Sequence, residues 1–226
     1  MLPVAARERQ FMSTSRRIQI LVGLPLALVV SLAFAVPQFD LTAHAQELFG
    51  TLVGRELPWW ILVAVMLIYI LAIERRPLTA IGLKRPGWMS FVWGLAGGLA
   101  LLIGEGIIFA VVFPRLGLHV NQKAALGIIQ TPIIYRAALV LRAAGAEEIL
   151  FRGYGIERLD ELTGNRILAA AITWAVFTYA HLGYWGWAQL IVAGYGGLVL
   201  TIMYLWRRGL ASNMLAHLIG DAIPFL

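Results

Sequence analysis

Apolar residues in this chain come in runs of about 20, the length a helix needs to cross a bilayer core, and short loops between the runs hold most of the charge. A helix satisfies its own backbone hydrogen bonds in lipid, where an open strand cannot. The pattern therefore predicts an all-α, polytopic transmembrane helix bundle. Seven spans are read, near 18–36, 57–73, 89–113, 124–155, 166–182, 187–206 and 209–226. The chain is 60% hydrophobic and only 13% charged over 226 residues, which leaves no room for a sizeable soluble domain beside the spans. No internal repeat or low-complexity linker divides it, so 1–226 reads as a single membrane domain.

Net charge is +6. The basic residues lie in short loops, so they read as determinants of membrane orientation rather than as a nucleic-acid surface, and no nucleic-acid partner is expected. Arg7, Arg9, Arg16 and Arg17 precede the first span. Arg75, Arg76, Lys84 and Arg85 follow the second, Arg158 and Arg166 flank the loop after the fourth, and Arg207 and Arg208 follow the sixth. Lys and Arg stay cytoplasmic, which predicts a cytoplasmic N-terminus. Trp59, Trp60, Tyr184 and Trp185 are then expected in the outer aromatic belt, and Trp88 and Trp206 in the inner one. Ser15-Arg16-Arg17 and Ala33-Phe34-Ala35 loosely mimic an export signal with its cleavage site. The length of the run and Pro37 beyond it favour an uncleaved first helix. Cysteine is absent, which excludes disulfides and thiolate metal sites. Gly94 and Gly98 have the four-residue spacing that lets helix backbones pack closely.

The ionisable residues inside the spans need an account, since each costs roughly 2.5–3.5 kcal/mol at a helix centre on insertion scales. Ala146-Glu147-Glu148-Ile149-Leu150-Phe151-Arg152 sets two acids beside one another and a base four residues after the second. Glu148 and Arg152 share a helix face and can pair. Glu147 points elsewhere and is left without that partner, toward whatever cavity the bundle encloses. Phe177 with His181, and His217 with Asp221, repeat the four-residue spacing on later helices. At 1.5 Å per residue, Glu147, His181 and His217 fall in one layer of the bilayer. Glu105 is expected to pair with Arg142, and Arg136 to find an outer-half partner or to snorkel. His44 and His119 are expected in solvated outer loops.

Three motifs carry a resemblance. Glu147 to Arg152 is similar to the Glu-Glu-x-x-x-Arg motif of the CPBP family, the CAAX-protease and bacteriocin-processing group also called Abi. Phe177 to His181 resembles its Phe-x-x-x-His motif, and His217 to Asp221 its His-x-x-x-Asn/Asp motif. The resemblance spans 145–221 and extends to prenyl-protein CAAX endopeptidases of the Rce1 type. It implies intramembrane peptide hydrolysis with no cofactor and no metal. Glu147 would be general base on a water that His181 holds, and His217 would stabilise the oxyanion. Glu148, Arg152 and Phe177 would be structural. Asp221 stands where the prenyl-protein proteases carry asparagine. An ionised aspartate cannot donate a hydrogen bond, so it is expected to orient His217 or raise its basicity.

Other readings of the same residues are a zinc site built from Glu147, His181 and His217, a proton or ion path, and a non-catalytic immunity or scaffold protein. The metal site lacks the short spacing of a helical zinc motif. The transport reading lacks inverted repeats. The expected partners are the bilayer and a peptide or membrane-protein substrate, in a prokaryotic cell membrane.

Overall fold

Local signals begin and end the helices. Ser13, Asn121 and Asn165 each accept a hydrogen bond from the backbone N–H three residues on, capping the helices that follow. Gly117 and Gly164 close others in the left-handed conformation. The computed structural model describes residues 12–35, 45–47 and 50–226. Arg7, Arg9, Val36, Pro37 and His44 lie outside the described residues.

Eight longer helices follow in order among the described residues: α1 (Thr14–Ala35), α2 (Leu52–Ile73), α3 (Trp88–Leu116), α4 (Gln122–Ile129), α5 (Ile133–Thr163), α6 (Arg166–Ala180), α7 (Gln189–Arg207) and α8 (Leu210–Phe225). No strand occurs among the described residues. The fold is the expected all-α membrane bundle, with five to six candidate spans among the described residues where the sequence reads seven. Five helices, α1, α2, α3, α6 with its last turn, and α7, are long and apolar enough to cross a membrane. A sixth is α5, provided α4 and α5 count as one broken span. The sequence reads 124–155 as one helix. In the structure Pro132, which has no N–H to donate, opens α5 after a bend of 115°. At 16 residues, α8 is shorter than a full span, although it runs from Gly82, whose carbonyl accepts from Leu210, to Trp185, whose ring meets Phe225.

The bundle is apolar outside as well as inside. Ile134, Ile167 and Trp187 are each more than two-thirds exposed, the surface a bilayer would cover. The core packs Ile20, Leu24, Met66, Ile70, Leu150 and Tyr154 from α1, α2 and α5. α8 packs along α3. There Gly94 and Gly98 face Leu215 and Ile219 so closely that a Cβ on either would come within 2.6–2.7 Å of them. The four-residue glycine spacing is thus a packing seam.

One end of the bundle is tied by ion pairs. Arg158 donates to both oxygens of buried Glu74 at 2.6–3.1 Å, and Tyr154 Oη adds a further hydrogen bond at 2.9 Å. Arg16, Arg76 and Arg158 converge on Glu161, while Arg166 and Arg208 converge on Glu157. The starts of α1 and α6 and the ends of α2, α5 and α7 are therefore at one end. Of the basic residues that the sequence assigns to a common side, Arg16, Arg76, Arg158, Arg166 and Arg208 meet there.

Candidate active site

The other half of the bundle holds a cavity of about 480 Å³. Glu147 from α5, His181 at the end of α6, and His217 and Asp221 from α8 all line it. Three helices therefore bring these groups to one space. Aromatic side chains complete the wall, among them Trp59, Phe151 and Tyr184.

The stretch bearing the two acids, Ala143–Ile156, is wound wider than an α-helix. Such π-type winding bonds five residues apart, and it is frequent at functional sites. It changes who meets whom. Arg142, five residues before Glu147, donates from Nη1 to Glu147 Oε1 at 2.8 Å. Glu147 lacks Arg152 as a partner, as the spacing predicts, but Arg142 takes that place. Its second oxygen, Oε2, is buried and has no hydrogen-bond partner among the described residues. The expected Glu105–Arg142 pair is corrected too. Arg142 binds Glu147 and, through Nε at 2.8 Å, Glu56 of α2, while Glu105 lies within electrostatic range of Asp221 and His217.

Glu148 is fully buried and is the hub of the site's support. It pairs with Arg152 at 2.8 Å, as the spacing predicts. It also accepts from Asn213 Nδ2 at 3.1 Å and from His217 Nδ1 at 3.0 Å. So Glu148 holds His217 at Nδ1. Asp221 Oδ2 stands 3.5 Å from the other ring nitrogen, Nε2. That separation exceeds a normal N–H···O hydrogen bond. Arg152 also donates to the Gly197 carbonyl of α7 and lies 4.0 Å over the Phe177 ring. Phe177 in turn meets Phe151 and both histidine rings. It is a packing wedge that sets the two imidazoles apart.

His181 Nδ1 lies 2.9 Å from the Phe177 carbonyl. A carbonyl only accepts, so Nδ1 carries the proton and a neutral ring keeps a lone pair on Nε2. Among the described residues no three His, Asp or Glu side chains are grouped to hold a metal ion. Arg136 donates to the Phe225 carbonyl, closing the end of α8, and His119 is exposed after α3. Trp59 is buried at the cavity, 5.0 Å from the Arg142 guanidinium.

Sequence reasoning missed Asn213, Glu56 and Tyr135. Asn213, four residues before His217, was a visible polar residue on the same face of α8. Glu56 and Tyr135 gave no motif.

No curated protein and no solved structure matches the chain. Residues 129–223 match the family described as type II CAAX prenyl endopeptidase Rce1-like, and this segment contains Glu147, Glu148, Arg152, Phe177, His181, His217 and Asp221. With the helical membrane architecture around it, the chain is an integral membrane protein whose residues 129–223 are similar to the Rce1-like family.

Proposed function

We propose that the protein is an intramembrane endopeptidase that hydrolyses a peptide bond with water activated by Glu147. What carries the reading is the buried, unpartnered Oε2 of Glu147 in a cavity that His181 and His217 also line. Oε1 is held by Arg142, so Oε2 is the atom available to take a proton. His181, with Nδ1–H turned to the Phe177 carbonyl, offers its Nε2 lone pair to one hydrogen of that water. As the hydroxyl adds to the scissile carbonyl, the carbonyl oxygen becomes negative. His217, gripped at Nδ1 by Glu148, turns Nε2 to the cavity and to Asp221. As an imidazolium it satisfies Glu148 with one N–H and the oxyanion with the other. Such preorganised donors contribute a few kcal/mol to the transition state. The proton taken by Glu147 then passes to the leaving amine, as general acid–base catalysis requires.

The substrate is a peptide or membrane-protein segment whose apolar part enters among Trp59, Phe151 and Tyr184. The protein sits in a prokaryotic cell membrane, with its arginine-rich end and N-terminus facing the cytoplasm. The test is a fluorogenic peptide library presented to the purified protein in liposomes. It should hold members ending in a prenylated Cys-aliphatic-aliphatic-X tetrad and unmodified apolar members. Cleavage at a single bond, lowered by His181→Ala, is expected; a library left intact by folded protein would refute the reading.

A further inference from the structure

We infer that Glu56, on α2 and outside the family-matched segment, is a positioning residue that keeps Arg142 from capturing both oxygens of Glu147. The inference rests on Glu147 being the base. An arginine fork facing a carboxylate tends to bind it through two parallel hydrogen bonds. Here the fork is divided. Glu56 Oε2 takes Nε at 2.8 Å, and Glu147 Oε1 takes Nη1 at 2.8 Å. Tyr135 Oη donates to Glu56 Oε1 at 3.1 Å, so Glu56 is held at its other end by α5. The guanidinium also lies 5.0 Å over the Trp59 ring, which limits its rotation. All five side chains are buried or half-buried, and Glu56, Trp59, Arg142 and Glu147 line the cavity.

The consequence is specific to one atom. With Glu56 charged and anchored, Arg142 neutralises Glu147 through Oε1 alone and leaves Oε2 for the water. Without that second carboxylate, Arg142 is free to turn its Nη1–Nη2 edge to Glu147. Both oxygens are then occupied, and the carboxylate loses the site at which it accepts a proton. α2 thereby sets the orientation of a base carried on α5. Neither the tandem acids nor their spacing encodes this, because the contact crosses from one helix to another.

The experiment compares Glu56→Gln, Glu56→Asp, Tyr135→Phe and Glu147→Gln in the full chain in liposomes, using the best-cleaved member of the fluorogenic library. For Glu56→Gln, kcat is expected to fall about tenfold to a hundredfold with KM changed by less than about twofold, the signature of an interaction made in the transition state. Glu56→Asp keeps the charge and restores part of kcat. Tyr135→Phe, which removes only the anchoring hydroxyl, lowers kcat several-fold. Thermal unfolding in detergent shows whether each variant is folded. Unchanged kcat in Glu56→Gln, or a loss confined to KM, overturns the inference. If Glu56→Gln does not fold, Tyr135→Phe decides alone: a reduced kcat supports the inference and an unchanged one ends it. An inert Glu147→Gln beside a fully active Glu56→Gln removes this inference and keeps the protease reading, whereas an active Glu147→Gln removes both.

Discussion

Glu148 accepts from Arg152, His217 and Asn213, and so joins α5 to α8 at the depth of the site. Replacing it with glutamine leaves Arg152, which is 1% exposed, without its counter-charge. Breaking a buried pair in this way costs about 3–5 kcal/mol. Glu148→Gln is therefore expected to lower the unfolding temperature in detergent and to reduce activity by freeing His217; a variant as stable as the parent would show that the hub is dispensable. Asn213→Ala is milder. It removes the donor to Glu148 and to the Leu200 carbonyl, a loss of about 1–3 kcal/mol that the same melt would register. At this scale the sequence is legible where partners share a helix. The Glu148–Arg152 pair follows from four-residue spacing. The Arg142–Glu147 contact does not, because it depends on wide winding that no residue type announces. Glu56 is less legible still, since only packing brings α2 to α5.

Helix α8 supplies His217 and Asp221, and its position is set by α3. Gly94 and Gly98 leave room for Leu215 and Ile219. Gly98→Leu is expected to push α8 away, with about 1–3 kcal/mol of overpacking strain and a loss of cleavage larger than the loss of stability. Gly106→Ala, on the same helix but with open space where its Cβ would lie, should leave both unchanged. Activity assays beside thermal unfolding check the contrast, and equal effects from the two substitutions would refute the seam. The helices themselves were legible from apolar runs and caps. The break after α4 was visible only as Pro132, since hydropathy continues across it and cannot register a change of direction. The bounds of α8 were legible, since 209–226 read from the sequence agrees with Leu210–Phe225 to within a residue at each end.

The whole molecule has two ends of different character. Arginine and glutamate lock one end, and the cavity occupies the other half. Lys84 belongs to the locked end, and Val120, next to Asn121 and its hydrogen bond to Tyr184, to the opposite one. The native chain has no cysteine, so single substitutions report cleanly. In intact cells an impermeant maleimide is expected to label Val120→Cys, and Lys84→Cys only after permeabilisation; the reverse would invert the proposed orientation. The basic loops made this polarity readable, while the buried Glu74 that organises them was not marked by any pattern. The most direct measurement of the central claim is the turnover of Glu147→Gln in liposomes against the wild-type protein. Removing the general base is expected to cost about 10²–10⁴-fold in kcat with the unfolding temperature retained. Turnover at the wild-type rate by the folded variant would contradict the assignment of Glu147 as the group that activates water.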